Sequence, residues 1–393
     1  MRSITSKRTF KNLWALLHAG VLVVVSYLLW NIPLTLHDCD SLLKMTSLIR
    51  TSVAEPDTLP SDLLLINTCY DHTFVPVCSR EITKDTIGQI SVTDRRKLLT
   101  LLQALALEDD YRYVVCDIRF DSSLKTETDS ALFSLLSQMP RCCVPTSLAM
   151  DSLPEKLAKI AATSEYGTNI LNSDFLKYQY LTDIGESIAL RMANETDGIS
   201  ITRCGPFYFM GWKPCINSHI VDIKTNVKNE YASNLSKNIL HLGSDMLPIL
   251  ETGVEGMFKD KIVIIGDCFM DDMHNTAAGT VSGVMIIYNA YKALVEQYNV
   301  PAWWVWLLML FVYYLLTIST FYHFEPHNLL DVFWLRDKPL LNLLLDWIGF
   351  EVLFTFVALL TYYMASLYID AWICATYFTV FNKIYQYKEL RNI

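Results

Sequence analysis

Five aspartates stand just after two short apolar runs: Asp117 and Asp121 after Tyr113-Val114-Val115-Cys116, and Asp267, Asp271 and Asp272 after Ile262-Val263-Ile264-Ile265-Gly266. Asn67 ends a third run, Leu63-Leu64-Leu65-Ile66. In open α/β sheets ligands bind in the crevice outside the carboxyl ends of the strands, so these oxygens are expected to converge on one small-molecule site. Aspartates in such places also cap helices and hold turns. A carboxylate cluster can also hold a divalent cation, although the spacing here matches no calcium loop. With a metal the same residues would describe a metal-dependent hydrolase.

No other enzymatic pattern accompanies them. Gly266 is the only glycine in its strand-to-loop turn, whereas a dinucleotide fingerprint needs several to let the backbone approach a pyrophosphate. There is no Gly-x-Ser-x-Gly elbow and no His-Glu-x-x-His helix, and His72, His219, His241 and His274 are scattered. The expectation is a non-enzymatic protein with no cofactor and no resident metal, the hydrolase being an alternative.

The elements that position the aspartates follow from hydrophobic spacing. Ile262 to Ile265 form a continuous β-branched run, the pattern of a central strand covered on both faces. Leu98, Leu99, Leu101, Leu102 and Leu105 make the apolar stripe of a helix over 94–107, with Thr93 a candidate cap. A second stripe, Ala131, Leu132, Leu135, Leu136 and Met139, predicts a helix over 128–139, and Gly279 to Val295 repeats on a helical period. Strands at 62–67, 112–117 and 261–266 separated by such helices imply an α/β domain with a mixed sheet and packed helices. From about 151 to 247 the pattern weakens, with turn signals at Gly205-Pro206 and Trp212-Lys213-Pro214. That stretch reads as an insertion of hairpins and short helices.

Of the 393 residues 52% are hydrophobic, pointing to a membrane protein with a soluble portion, and the net charge of -9 without a basic stripe excludes nucleic acid as a partner. Arg2, Lys7, Arg8 and Lys11 precede an apolar stretch at 13–34, too long for a signal-peptide core, which predicts a first transmembrane helix behind a cytoplasmic stretch at 1–12. Apolar segments at 302–320, 343–366 and 368–385 predict three more, with a cytoplasmic loop at 321–342 and a cytoplasmic tail at 386–393. Residues 36–300 then lie outside the cytoplasm. Glu351, about one turn into the third span, is an intramembrane carboxylate and the candidate contact for a partner helix, with Asp346 nearer the end.

Nine of the ten cysteines precede the second span. An oxidising compartment permits disulfides. Cys204 with Cys215, flanking an aromatic and Gly/Pro-rich stretch, and Cys69 with Cys78 are the candidate pairs. Cys116 and Cys268, in or beside strands, are expected to be packed thiols.

Several stretches, in order, resemble one family, the type 2 CHASE domain, an extracytoplasmic sensory module of bacterial signalling proteins. They are Arg95-Arg96 with its Leu-rich helix, Val114-Val115-Cys116-Asp117-Ile118-Arg119-Phe120, Asp129-Ser130-Ala131-Leu132, Phe258 to Gly266, Asn275-Thr276 and Gly283-Val284. The resemblance implies an extracytoplasmic sensory domain with one span before it and three after, in a bacterial inner membrane. Relatives carry a cyclase or kinase after the last span, where this sequence runs on for about eight residues. The resulting expectation is an accessory or scaffold subunit of an envelope complex, touching other membrane proteins and the lipid bilayer through its spans. An orphan sensor of a small extracytoplasmic ligand, signalling to a separate effector, is the alternative.

Overall fold

The computed structural model describes residues 2–33, 59–78, 86–146, 153–164, 166–168, 175–227, 238–253, 255–276, 278–322, 339–365, 367 and 369–391. Cys39, the side chain of Cys78 and most of the expected loop at 321–342 lie outside the described residues.

Six strands form the main sheet, in the order Ile239–His241, Leu63–Asn67, Ile262–Gly266, Tyr113–Cys116, Cys142–Thr146 and Ala161–Thr163. The expected mixed sheet is corrected: every pairing among these six is parallel. The physical reason lies in the connections. Helices Arg95–Glu108 and Asp129–Leu136 follow the strands and return the chain to the same end of the sheet, as parallel pairing demands. Among the described residues, antiparallel pairs occur only in small separate sheets, such as the ribbon of His72–Cys78 with Thr86–Thr93.

Alternation along the central strands sorts side chains into two layers. Leu63, Leu65, Tyr113, Val115, Ile262 and Ile264 pack with helices Ile188–Asp197 and Gly283–Val295. Leu64, Ile66, Val114, Val263 and Ile265 pack on the opposite face with the stripes of Arg95–Glu108 and Asp129–Leu136. All five residues of Ile262–Gly266 are buried, because the strand is paired on both edges and covered on both faces.

Helix Arg95–Glu108 is capped by Asp94 rather than Thr93, its Oδ1 accepting from the amides of Arg96 (3.0 Å) and Lys97 (3.2 Å). Thr93 is the last residue of the antiparallel ribbon and is held there by pairing with His72. Arg95, buried at the first helical position, donates to Asp129 Oδ2 (2.6 Å) and to the Leu124 carbonyl (2.8 Å), and its guanidinium lies over the rings of Phe120 and Phe133. Asp129 also accepts from the amide and hydroxyl of Thr126. This pair ties the two helices of one layer together.

Cys204 and Cys215 form no disulfide, and the expected Cys69–Cys78 pair lies outside the described residues. Thr202–Cys204, Phe207–Met210 and Lys213–Pro214 make an antiparallel meander in which Cys204 pairs with Phe207 and the Cys215 amide bonds the Tyr208 carbonyl. Cys204 and Cys215 thus sit on its two outer strands, roughly 9–10 Å apart, beyond the reach of a disulfide. Cys204 is exposed and Cys215 buried. Cys69 is buried, its sulfur accepting from Asn67 Nδ2 (2.9 Å).

Helices Arg2–Trp30, Trp303–Phe321, Pro339–Ala365 and Ala371–Arg391 pack into a bundle around Ala19, Tyr313, Phe354 and Phe378. Three are long and apolar enough to cross a membrane, over Thr9–Trp30, Trp303–Phe321 and Leu341–Ala365. The fourth has 21 residues and is more polar. Polar contacts cross the bundle: Ser26 with Tyr313 (2.6 Å), His18 with Thr317 (2.8 Å) and Lys383 with a fully buried Asp346 (3.1 Å).

Replacing Asp129 by Asn leaves Arg95 buried and uncompensated, and is expected to destabilise the α/β domain by roughly 3–5 kcal/mol. Thermal unfolding in detergent micelles checks this, with the exposed Arg203–Asp183 pair as a control expected to cost under about 1 kcal/mol when broken.

Candidate functional site

The cavity lies where a late strand is inserted between two early ones. Leu63–Asn67 and Tyr113–Cys116 are consecutive strands of the sheet in the chain, yet Ile262–Gly266 lies between them, so the carboxyl ends of three strands open side by side. Asp117 follows directly from Cys116, its amide bonded to the Ile265 carbonyl (2.8 Å). Gly266 is required by this closeness: a Cβ there would lie 2.7 Å from Val284 and 3.3 Å from the Asp117 backbone and side chain. A cavity of about 500 Å³ opens here, with Asp117, Asp271, Asp272, His274, Arg119 and Tyr178 supplying its polar groups. Ile286 and Ile287, from helix Gly283–Val295, form an apolar wall.

Of the five aspartates expected to converge, three line this cavity and two do not. Asp267 is consumed by its own loop, accepting from the amides of Phe269 (2.8 Å), Met270 (2.9 Å) and Asp271 (2.6 Å). Asp121 holds the amide and hydroxyl of Ser123 (2.7 Å each). Both are turn residues, the plainer use of an aspartate in a loop. Asn67 is a clip: it accepts from the Cys268 amide (3.0 Å) and donates to His241 Nδ1 (3.0 Å), joining three strand ends.

Asp272 lies against Gly283, the first residue of helix Gly283–Val295, where an added Cβ would collide with its carboxylate. The positive end of that helix is thereby occupied by the chain's own carboxylate. Asp272 Oδ1 also meets His274 Nε2 at 3.1 Å. Asp117 is part-buried, and burial pushes its carboxyl up to about 7, with the charge of Asp272 adding to the effect and His274 opposing it. With three carboxylates against one arginine and one histidine, the lining suits a cationic or hydrogen-bond-donating group. Among the described residues no group of three or more His, Cys, Asp or Glu side chains is arranged to hold a metal ion.

The residues that link this cavity to the helix bundle lie in the stretch where the sequence pattern is weak. Tyr178 lines the cavity, and Lys177, the preceding residue on strand Phe175–Gln179, points the other way. Lys177 is buried and donates to the carbonyls of Trp30 (3.2 Å) and Ile32 (3.0 Å), at the end of helix Arg2–Trp30. Burial pushes its ammonium down to about 8, with Asp370, in the turn before Ala371–Arg391, pulling the other way. Tyr178 pairs with His219 across an antiparallel register, and neighbouring Ile216 and Ile220 are packed into the bundle. The signal available in sequence was the alternation Phe175-Leu176-Lys177-Tyr178-Gln179-Tyr180, a period-two strand inside an otherwise weak region.

Comparison with known proteins agrees with the order of motifs. A family model, the CHASE2 domain, matches residues 77–320, from the antiparallel ribbon through helix Trp303–Phe321. No curated protein and no solved structure matches the chain.

A carboxyl raised in the folded state costs stability once it ionises. Below about pH 4 the group is protonated in both states; from about 4 to 7 the native protein holds a proton the unfolded chain has lost, so stability falls as pH rises through that window. Asp117→Asn is expected to flatten this slope and to stabilise the protein at neutral pH by roughly 2–4 kcal/mol, less where water in the cavity reaches the carboxylate. Unfolding midpoints from pH 4.5 to 8 measure both.

Proposed function

The chain belongs to the CHASE2 domain family, and from that membership we propose that this sensory-type membrane protein reads a small extracytoplasmic ligand and conveys its binding to the spans. The ligand site is the cavity at Asp117, Asp271, Asp272 and His274. The observation that carries the reading is the adjacency of Tyr178 and Lys177 on one strand, one in the cavity wall and the other on the last carbonyls of the first membrane helix. A ligand that moves Tyr178 moves Lys177, and with it the ends of Arg2–Trp30 and of the turn bearing Asp370. In this reading the protein catalyses no reaction, takes no cofactor, and sits in a bacterial inner membrane with four spans and its α/β domain in the periplasm.

The spans then act on another membrane or envelope protein. Glu351 favours a second, compatible role as an accessory subunit, because a half-buried carboxylate within a membrane-length helix is a specific contact for a partner helix. A scaffold binds its partner whatever the state of the cavity, whereas a sensor changes its affinity with ligand.

Two measurements test these readings. A library of small amines and polyols is screened by thermal shift on the purified protein in nanodiscs. A hit is expected to lose its shift in Asp117→Asn and to alter hydrogen exchange at 27–33 in the wild type, but not in Lys177→Met. A hit that binds without changing exchange at 27–33 would sink the coupling. Co-purification from native membranes in mild detergent, repeated with Glu351→Gln, is expected to recover a stoichiometric partner that the variant loses; recovery of the protein alone refutes the accessory role.

A further inference from the structure

The meander Thr202–Cys204, Phe207–Met210, Lys213–Pro214 belongs to the α/β domain by sequence, yet it is fastened to the end of a membrane helix. Tyr27, three residues before the end of helix Arg2–Trp30, donates its hydroxyl to the carbonyls of Tyr208 and Cys215 (3.0 Å each) and accepts from the Tyr208 amide (2.8 Å). The Phe207 ring stacks on Tyr27 at 5.7 Å. Three residues of helix rise only about 4.5 Å, so the middle of the meander is level with the last turn of the span. Trp30, Trp304 and Trp306 pack together at this same level, and Trp303, 74% exposed, opens the next span beside them. Aromatic residues gathered at helix ends mark the height of the membrane interface.

At one end of the meander Met210 pairs with Lys213, leaving Gly211 and Trp212 as a two-residue turn. Gly211 has φ +60°, the conformation that the first position of a Gly-first hairpin turn requires. The turn holds Trp212 99% exposed, so its indole buries nothing against the protein. Tryptophan is on average among the well-buried residues, and such a ring finds its best environment where one end is apolar and the other wet. Lys213 donates to Gln297 (3.0 Å), six residues ahead of Trp303, which holds the turn close to where the second span enters the bilayer.

We propose that the Gly211–Trp212 turn is a membrane contact: the Trp212 indole enters the phospholipid interface at the headgroup–acyl boundary and holds the α/β domain against the bilayer its spans cross. The occupant is lipid because the turn continues the aromatic belt of the helix ends, joined to it through Tyr27, Phe207 and Gln297. This contact is independent of whether the cavity binds a ligand. It gives the domain a fixed height and tilt, so that the short reach of Lys177 to the helix end is not lost to rocking of the domain.

The full chain, labelled with 5-fluorotryptophan and reconstituted in phosphatidylcholine nanodiscs, tests this by fluorine NMR. Trp212→Phe removes one resonance and so assigns it; the variant folds because the indole touches nothing in the protein. The assigned signal is expected to lose most of its intensity when the nanodiscs contain doxyl-labelled lipid and to keep it with an aqueous gadolinium chelate. Loss to the chelate instead places the indole in water, and loss to neither agent places it against a second copy or another protein; either outcome overturns the proposal.

Discussion

The pairing of Ile262–Gly266 between Leu63–Asn67 and Tyr113–Cys116 is the constraint on which the rest depends. A late strand inserted between two early ones closes the domain, since neither early strand can bury its edge until the chain has reached residue 266. The insertion also sets the strand ends side by side and so creates the crevice. Gly266 lets Asp117 and Val284 approach, and the loop after it delivers Asp272 to the start of helix Gly283–Val295. That helix runs on within a few residues to Trp303 and the second span, so one strand fixes the core, the cavity and the link to the membrane.

What was legible in the sequence followed burial. The runs at 63–66, 113–116 and 262–265 are apolar throughout because each is covered on two faces, and the leucine stripe of Arg95–Glu108 repeats at helical spacing because one face is buried. Three of five aspartates reached the cavity; the other two did not, because an aspartate bonded to its own loop looks the same in sequence as one facing a ligand. Buried polar pairs were hidden for a related reason. Arg95 and Asp129 are 34 residues apart, and nothing in either local pattern announces that two helices will place them 2.6 Å apart. Cys204 and Cys215 are close in sequence but not in space, because the meander puts them on opposite outer strands.

The least legible region, 151–247, proved to hold the connection between domain and bundle. Its strands are two to five residues long, and their side chains divide between two different cores. Cys215, Val221 and Ile223 pack into the α/β domain, while Ile216 and Ile220 pack into the helix bundle. A segment that serves two cores has no single amphipathic period, which is why its pattern reads as weak. Asn217 makes the division possible: its amide donates to Asn31 at the helix end and its side chain bonds both backbone groups of Leu181. Buried backbone that is neither helix nor long strand must find partners of this kind.

The electrostatics of the two ends are complementary. On the cavity side burial raises a carboxyl, and on the membrane side it lowers an ammonium, so both Asp117 and Lys177 are charged groups held at a cost. A positive charge or hydrogen-bond donor placed beside Asp117 would offset the first cost directly. The second is offset by the Trp30 and Ile32 carbonyls and by Asp370, an arrangement that exists only while strand and helix end stay within hydrogen-bond reach. Because the bonds at Lys177 are short-ranged and its burial cost is not, a shift of about an ångström at Tyr178 changes how well that cost is offset. Tyr178 in the cavity wall and the buried Lys177 ammonium, back to back on one strand, thus make a small movement at the cavity energetically visible at the end of helix Arg2–Trp30.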